Sequence, residues 1–299
     1  MKKLNFKVDK SKCIRCGLCI KDCSCSVLEF DENKNPRVAE NGEIRCMECQ
    51  HCLAVCPTGA ISILGKNPDE SLIPQKEKSP DVILNQIQSR RSVRHYKQAN
   101  LDKETLAKLK NMLNWTPTGC NDHRLLFAFI DDVDAMADFK EKVYDKLKKL
   151  CEKKPFPKDA ERFLSRLESD IMSENRRDIL FRNAPHLIVA CSPVDAPCSD
   201  IDPIIALSYF ELYAQSLGVG TVWCGLVQTC LNVLPELSAE LKIPQGYKPV
   251  YCMLFGSPAI KFKRIIQPEP YKMVSYPKNL AKFRKFLKSL GEKIVNFVK

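Results

Sequence analysis

Apolar positions recur at helical spacing in three segments after residue 81. Val82–Ile87 forms an apolar stripe and predicts the first helix. Leu101-Asp102 offers a hydrophobic staple and an N-cap for the second. Asp202-Pro203 carries the N-cap and first-turn signals of the third, a long segment that is apolar on most sides. We therefore expect this third helix to lie in the middle of the core.

Short apolar runs between these helices predict buried strands. Three such strands are expected, at residues 125–130, 187–191 and 250–255. Residues 65–80 are polar, contain three prolines and have little to bury, so they predict a linker. The chain is therefore expected to consist of a domain of residues 1–66, a linker of residues 67–80 and a domain of residues 81–299.

The length and composition are those of an ordinary globular protein. The 299 residues suggest about two domains, and 44% apolar with 28% charged residues excludes long disorder and collagen. The apolar runs are far too short to cross a membrane, and the first residues contain no apolar segment of a secretory signal. The net charge of +11 fits solubility, an acidic partner protein, an anionic membrane surface or nucleic acid. No nucleic-acid-binding signature accompanies this charge.

Cysteine is the outlier in this composition. Of sixteen cysteines, nine lie between Cys13 and Cys56, and the other seven are scattered from Cys120 to Cys252. A secreted disulfide scaffold would be small and rich in cysteine throughout. The asymmetry therefore indicates a cofactor-binding N-terminal module on a body of enzyme size, in a reducing and hence cytoplasmic compartment.

The N-terminal cysteines form an internal repeat. The run that begins at Cys13 recurs 33 residues later at Cys46, and each run has the spacing C-x2-C-x2-C-x3-C. Zinc prefers two separated cysteine pairs around one ion, so zinc fits this spacing poorly. The spacing resembles that of the dicluster ferredoxin domain, a small βαβ-type repeat, over residues 5–66. The resemblance implies two [4Fe–4S] clusters, each with three ligands from one run and the fourth from the other.

The implied ligands therefore cross between the two runs. The first cluster would be bound by Cys13, Cys16, Cys19 and Cys56. The second cluster would be bound by Cys46, Cys49, Cys52 and Cys23. The match is imperfect at Ser24, which follows Cys23 where the family has proline. Cys25 is an additional thiol for which no ligand role is expected.

Four short motifs follow in the second domain. Arg-Arg-Ser-x-Arg at residues 90–94 suits a phosphate, although a solvated basic helix end has the same composition. Pro-Thr-Gly-x-Asn forms a polar loop at residues 117–121. The glycines of residues 218–225 do not form a dinucleotide fingerprint, because Trp223 stands where the third glycine would fall and a helix precedes the segment. Gly-x-Pro at residues 256–258 is followed by basic residues.

The order of these motifs resembles that of the nitroreductase family of FMN enzymes, over residues 81–275. Together with the N-terminal domain, the whole chain resembles a ferredoxin–nitroreductase fusion. The resemblance implies an α+β fold in which helices flank an antiparallel-type central sheet. It also implies a homodimer with two FMN sites at the subunit interface.

The same resemblance implies roles for individual residues around the flavin. The phosphate, the ribityl chain and the pyrimidine edge would be bound by Arg90, Arg91, Ser92 and Arg94. The loop that reaches the flavin from the other subunit would contribute Pro117, Thr118, Gly119 and Asn121. The isoalloxazine would lie along Cys224 and Gly225, with the Cys224 N–H near flavin N5. The phosphate site would be completed by one of Lys261, Lys263 and Arg264.

The implied function is an FMN-dependent oxidoreductase. The two clusters would pass electrons to FMN, and FMN would reduce a small organic acceptor such as a nitro compound, a quinone or an activated alkene. The electron donor would be an acidic ferredoxin or flavodoxin, or NAD(P)H. Two alternatives stay open: a redox sensor or electron-transfer protein without a dedicated substrate, and a reductive dehalogenation or flavin fragmentation on the same fold.

Three further segments carry expectations. The four histidines form no spaced pair of metal ligands, and His123 is the only one of them that is a candidate for the site. Residues 133–183 are expected to form two charged helices that cover the site and set substrate choice. Lys278–Lys299 is expected to form a basic amphipathic helix that packs across the partner subunit, with a membrane surface as the alternative.

Overall fold

A computed structural model describes residues 4–73, 79–156, 158, 160–175, 177–275, 285 and 288. Met1–Arg264 forms one compact unit, which contains both the cysteine-rich part and the larger part of the chain. Ile265–Lys299 forms a second unit, in which residues 265–275 are exposed and lie in neither helix nor strand. The basic helix predicted for Lys278–Lys299 lies outside the described residues, apart from Lys285 and Lys288.

The cysteine-rich part is built from short elements. In chain order they are β1 (Lys7–Val8), α1 (Leu18–Lys21), β2 (Leu28–Phe30), β3 (Pro36–Val38), α2 (Gly42–Arg45), α3 (His51–Ala54) and β4 (Ile61–Ser62). The first and last strands pair antiparallel, and β2 and β3 form an antiparallel hairpin. A small apolar cluster that includes Leu28, Leu53 and Ile61 packs against the cysteines.

The sequence repeat is also a repeat of backbone conformation. Helix α1 is preceded by Gly17 at φ 72°, and helix α3 is preceded by Gln50 at φ 59°, 33 residues later. Two residues before each of these, Arg15 and Glu48 also have left-handed backbones, with φ 57° and 55°. Such a conformation is uncommon for residues that carry a Cβ atom, so the surrounding structure must impose it. The two cysteine runs therefore form the same backbone turn before their helices.

The larger part contains a four-stranded sheet between two layers of helices. Its elements are α4 (Pro80–Ser89), α5 (Lys103–Met112), β5 (Leu126–Ile130), α6 (Val133–Cys151), α7 (Glu161–Ile171), β6 (His186–Pro193), α8 (Asp202–Ser216), β7 (Gly220–Trp223), α9 (Gly225–Val233), α10 (Leu237–Glu240) and β8 (Tyr247–Gly256). The strand order is β5-β6-β8-β7, and every neighbouring pair is antiparallel. The predicted α+β fold with an antiparallel central sheet is confirmed.

Strand β6 divides the core between the two faces of this sheet. All of its residues are buried, and alternate side chains point to opposite faces. Leu187 and Val189 belong to one apolar cluster, with helices α6, α7 and α9. Ile188 and Ala190 belong to the other, with helices α5 and α8. Helix α8 thus lies in the core, as its composition predicts.

The three predicted strands are present with slightly different ends, and the structure adds a fourth. Strand β7 takes up part of the glycine segment and pairs with β8 at the edge of the sheet. A Cβ atom on Gly220 would lie 2.7 Å from Val93, so this strand needs glycine to approach the neighbouring chain segment. Thr221 and Trp223 in the same strand are residue types that favour extended structure.

The start of one predicted helix differs from expectation, and another predicted helix is present but exposed. Asp202 is the first residue of α8 and is not its N-cap, because its carboxylate instead accepts a hydrogen bond from the Gly119 N–H at 3.0 Å. The apolar stripe Val82–Ile87 does form helix α4, but none of the residues of this helix is buried. Within the described ranges, none of the helices combines the length and apolar character that crossing a bilayer requires.

The buried His186 predicts a loss of stability at mildly acidic pH. Its Nε2 accepts a hydrogen bond from the Leu101 N–H at 3.2 Å, and its ring lies 5.1 Å from that of Phe255. Burial lowers the pKa of His186 below 6.5, although two nearby carboxylates oppose this shift. The unfolded chain therefore binds a proton near pH 6.5 that the folded chain does not bind, and stability should fall as the pH drops below that value.

We expect His186→Gln to weaken this pH dependence, because glutamine keeps an acceptor for Leu101 but does not titrate. The measurement is the midpoint of thermal unfolding at pH values from about 7.5 to about 5.5, for both proteins. The same fall in midpoint in both proteins would assign the acid sensitivity to other groups.

Candidate functional site

The described cysteines line two separate cavities in the N-terminal part. One cavity is lined by Cys13, Cys16, Cys19 and Cys56, with apolar neighbours such as Ile61. The other is lined by Cys23, Cys46, Cys49 and Cys52. The structure thus brings together each of the two crossed sets that the ferredoxin resemblance implies. Cys25 also lines the second cavity, where no ligand role was expected for it.

The fourth cysteine of each run accepts a backbone hydrogen bond at its sulfur. The Cys56 Sγ accepts the Ala60 N–H at 3.2 Å, and the Cys23 Sγ accepts the Val27 N–H at 3.3 Å. Burial raises the pKa of the Cys56 thiol, but this N–H and those of neighbouring residues outweigh it and lower the pKa overall. Such N–H groups stabilise thiolate and help to set cluster potentials.

Burial raises the pKa of the Cys19 and Cys46 thiols, which makes them less favourable as free anions. Burial raises the pKa of Cys52 to about 11. In the described part of the chain, no group of three or more His, Cys, Asp or Glu residues is arranged for a single metal ion. A four-iron cluster gives each thiolate its own iron, so its ligands surround a cavity instead of converging on one point. The two cysteine-lined cavities fit clusters of this kind.

A cavity of about 300 Å³ brings together the basic residues at the end of α4 and those after β8. Arg90, Arg91 and Lys261 line it, together with Gly220 and Gln215. The buried Gln215 Oε1 has no hydrogen-bond partner among the described residues. Three cationic groups and an unused acceptor fit a phosphate ester that also carries hydroxyl groups.

The other residues predicted for the phosphate do not line this cavity. Arg94 is exposed, and its Nη1 donates to the Ser92 carbonyl oxygen at 3.4 Å. Lys263 and Arg264 are likewise exposed. All three late basic residues that were left as alternatives are exposed, but only Lys261 lines the cavity together with Arg91.

Glu211 of α8 accepts hydrogen bonds from the end of α4 and from two residues of β7. Its Oε1 accepts hydrogen bonds from Arg90 Nη1 at 3.1 Å and from Thr221 Oγ1 at 3.4 Å. Its Oε2 accepts from Trp223 Nε1 at 3.0 Å. Only 7% of Glu211 is exposed, so these donors replace the water that its carboxylate loses. The Arg90 guanidinium is consequently shared with a carboxylate, whereas the structure gives Arg91 no such partner among the described residues.

The Pro-Thr-Gly-x-Asn loop is fixed at the opposite end of α8. Gly119 donates its N–H to the buried Asp202, and a Cβ atom on Gly119 would lie 2.5 Å from the Cys198 sulfur. The next two residues, Cys120 and Asn121, have left-handed backbones with φ 54° and 57°. Strained backbone of this kind persists only where the surroundings hold it, and it concentrates at functional sites.

This loop meets the second cysteine cavity. Asn121 Nδ2 donates to the Met47 carbonyl oxygen at 3.0 Å, and Asn121 Oδ1 lies 2.9 Å from His123 Nε2. A cavity of about 920 Å³ lies between the two chain segments and is lined by Cys46 and Cys49 on one side and by Asn121 and His123 on the other. Asn121 therefore links the loop predicted to reach the flavin with the loop predicted to hold the second cluster.

The predicted hydrogen bond from the Cys224 N–H to flavin N5 is not available in this structure. That N–H donates to the Cys252 carbonyl oxygen at 3.1 Å, because the pairing of the edge strand continues one residue past β7. Cys224 is buried, and its thiol lies 3.3 Å from the Leu180 carbonyl oxygen. Gly225, the first residue of α9, follows it without a bonded N–H among the described residues.

Sequence reasoning missed three residues of this region. Glu211 gives a signal that could have been used, because it is a carboxylate within an otherwise apolar core helix. Asp202 was interpreted as a helix cap, although it anchors Gly119 instead. Met47 takes part through its backbone carbonyl, and a backbone contact between distant segments leaves no trace in residue type.

Comparison with known proteins supports both parts of the chain. Residues 87–257 match the family described as "Nitroreductase family", and residues 12–60 match the family described as "4Fe-4S dicluster domain". An archaeal-type glutamate synthase of Thermotoga maritima is 44% identical over 55 residues, which is 18% of this chain and 10% of that protein. This chain thus spans only a tenth of the glutamate synthases that it matches. An iodotyrosine deiodinase of Thermotoga neapolitana is 27% identical over 176 residues, which is 54% of this chain and 88% of that protein.

Solved structures show the same fold for the larger part. A nitroreductase with bound FMN from Bacteroides fragilis superposes with a TM-score of 0.51 at 20% identity, over 64% of this chain and 98% of that one. A nitroreductase with bound FMN from Desulfitobacterium hafniense gives 0.51 at 21% identity, over 65% and 98%. The family match covers more than half of the chain, with the dicluster domain ahead of it. The chain therefore belongs to the nitroreductase family and is a fusion of a 4Fe-4S dicluster ferredoxin domain with a nitroreductase domain.

Proposed function

We propose that the protein is an FMN-dependent oxidoreductase that receives electrons through two [4Fe–4S] clusters and uses them to reduce a small organic acceptor. The observation that carries this proposal is the hydrogen bond from Asn121 to the Met47 carbonyl oxygen. It joins the second cysteine run to the loop that the family uses at its flavin. A cluster domain held at this loop is suited to supply electrons to the flavin.

The residues present fit the proposed cofactors. Arg91 and Lys261 would bind the FMN phosphate as charged donors, and the unused Gln215 oxygen would accept from a ribityl hydroxyl. Glu211 orients Arg90 toward the same cavity. The Gly225 N–H, at the start of α9, takes over the role that we expected for Cys224. When bound, FMN converts single electrons into two-electron reduction of an organic molecule.

We propose that the flavin site needs two copies of the chain. Arg91 and Lys261, the residues proposed to bind the FMN phosphate, line one cavity, and the Asn121 loop lines another. The two cavities share no residue. Helix α4 leaves Val82, Leu84 and Ile87 at least half exposed, and an exposed group of large apolar side chains is unusual for a monomer. A homodimer would cover this apolar face and bring the two half-sites together.

The family suggests two classes of acceptor, and each class corresponds to a different reaction. Reduction of a nitro compound, a quinone or an activated alkene is the first. The similarity to an iodotyrosine deiodinase over 54% of the chain favours reductive dehalogenation as the second. The products distinguish the two reactions, because only dehalogenation releases a halide ion. A redox sensor, in contrast, would not catalyse repeated turnover of any organic acceptor.

The donor is proposed to be an acidic single-electron carrier. The net charge of +11 attracts acidic proteins, and the clusters accept one electron at a time. We expect reduced ferredoxin to bleach the flavin absorbance of the anaerobically purified protein. The Cys49→Ala variant should bleach far more slowly, because Cys49 lines the second cluster cavity.

The same absorbance measurement with NADH and NADPH is the control. Bleaching by either nucleotide at equal rates in the wild type and in Cys49→Ala would contradict entry through the clusters. A purified protein that contains iron but no flavin would contradict the whole proposal.

The assignment of cluster ligands predicts a contrast between two neighbouring thiols. Cys23 and Cys25 both line the second cavity, but only Cys23 accepts the Val27 N–H and belongs to the repeated spacing. We expect Cys23→Ala to lose about half of the bound iron and Cys25→Ala to keep all of it. Iron and acid-labile sulfide per chain, measured after anaerobic purification, test this. Equal iron loss in both variants would overturn the assignment.

A further inference from the structure

Only one of the two cluster cavities opens toward the flavin-binding domain. Cys46 and Cys49 line both the second cluster cavity and the cavity of about 920 Å³ beside Asn121. None of the four cysteines of the first cavity lines that larger cavity. Of the two cluster cavities, the second is therefore the one that adjoins the larger domain.

Within one chain, the second cluster and the phosphate cavity lie at opposite ends of α8. Asp202, at the start of the helix, holds the loop that contacts the second cluster. Gln215, near the end of the helix, donates to Ser89 beside the phosphate cavity at 2.9 Å. Thirteen residues separate these two anchors, which corresponds to about 20 Å at 1.5 Å per residue.

The outward side of α8 has the features of a contact between two copies. Ile201 and Tyr209 are 59% and 46% exposed, and their spacing of eight residues places them on the same face as Ile205. The neighbouring helix α4 exposes Val82 and Ile87 beside it. A twofold axis near the middle of α8 would lay the start of one helix against the end of the other. Each Asn121 loop would then face the phosphate cavity of the other copy.

We infer that the second cluster of each subunit reduces the FMN whose phosphate is bound by the partner subunit. This inference rests on the proposed function and adds the direction of electron flow between chains. Each cluster that goes from the 1+ to the 2+ state gives up one electron. Two such electrons and two protons from solvent convert FMN to FMNH₂, and the reductant is a single-electron donor of the ferredoxin class. Asn121 acts as a positioning residue that holds the cluster loop against this interface.

Mixed dimers test the inference directly. Two chains with different affinity tags are coexpressed, and dimers that carry both tags are purified anaerobically. Cys49→Ala removes the second cluster from a chain, and Arg91→Glu with Lys261→Glu removes FMN binding. In the first mixed dimer, one chain carries Cys49→Ala and the other carries the two charge reversals. In the second, one chain carries all three substitutions and the other is wild type.

The two mixed dimers give opposite expectations. Both should contain about half of the wild-type flavin, because each has one intact phosphate cavity. Reduced ferredoxin should bleach the flavin of the first dimer at the wild-type rate, since its FMN and its second cluster belong to different chains. The second dimer should bleach no faster than the Cys49→Ala homodimer, although its cluster and its FMN are on one chain. Electron paramagnetic resonance of the reduced clusters gives a readout that does not depend on turnover.

Other outcomes overturn the inference without ambiguity. Fast bleaching in the second dimer and slow bleaching in the first would show that electrons stay within one chain. A wild-type protein that binds flavin as a monomer would also overturn it, together with the proposed two-copy flavin site, while the proposed oxidoreductase activity would survive. A wild-type dimer whose flavin is never bleached would instead refute the proposed function. If the Cys49→Ala chain does not fold, Cys23→Ala removes a ligand of the same cavity from the other run and gives the same test.

Discussion

Two buried carboxylates on one apolar helix determine how the larger domain is assembled. Asp202 and Glu211 of α8 are 4% and 7% exposed, and a carboxylate that loses its water needs donors in return. Asp202 obtains the Gly119 N–H, and Glu211 obtains Arg90 together with two donors from β7. The segments that provide these donors are the ones for which the sequence predicts flavin contacts. The cost of burying charge in the core therefore fixes the position of the functional loops.

The N-terminal domain contacts the larger domain at the Gly119–Asn121 loop, which Asp202 holds in place. Because Asp202 fixes Gly119, the strained residues after it hold Asn121 against the Met47 carbonyl. This contact lies at the second cluster cavity, because cysteines of the second run line the cavity next to the larger domain and cysteines of the first run do not. A chain with another residue at position 121 would lack this side-chain hydrogen bond to the second cysteine run.

Periodicity and motif order predicted most of this structure. Strands β5, β6 and β8 and helices α5 and α8 follow from apolar spacing, because buried elements leave a regular pattern. The repeat of cysteines predicts two crossed sets, and the structure gathers each set around its own cavity. These features depend on local spacing, which a sequence displays directly.

The rest depends on contacts between distant segments. Strand β7 was missed because its glycines indicate a loop, whereas their small size admits Val93. The Cys224 N–H was assigned to the flavin because nothing in the residue types reveals that Cys252 accepts it. Arg91 and Lys261 line one cavity, whereas Arg94 carries the same charge and does not line it, so composition alone could not separate them.

The most direct measurement is an anomalous-scattering map of anaerobically grown crystals of the loaded protein, recorded at the iron absorption edge. We expect two iron sites in each chain, with the site between Cys23, Cys46, Cys49 and Cys52 nearer to a flavin than the other. We also expect the phosphate of this flavin to contact Arg91 of the partner subunit. A flavin nearer to the first iron site, or one whose phosphate is bound by Arg91 of the same chain as its nearest cluster, would contradict electron transfer from the second cluster to the partner's flavin.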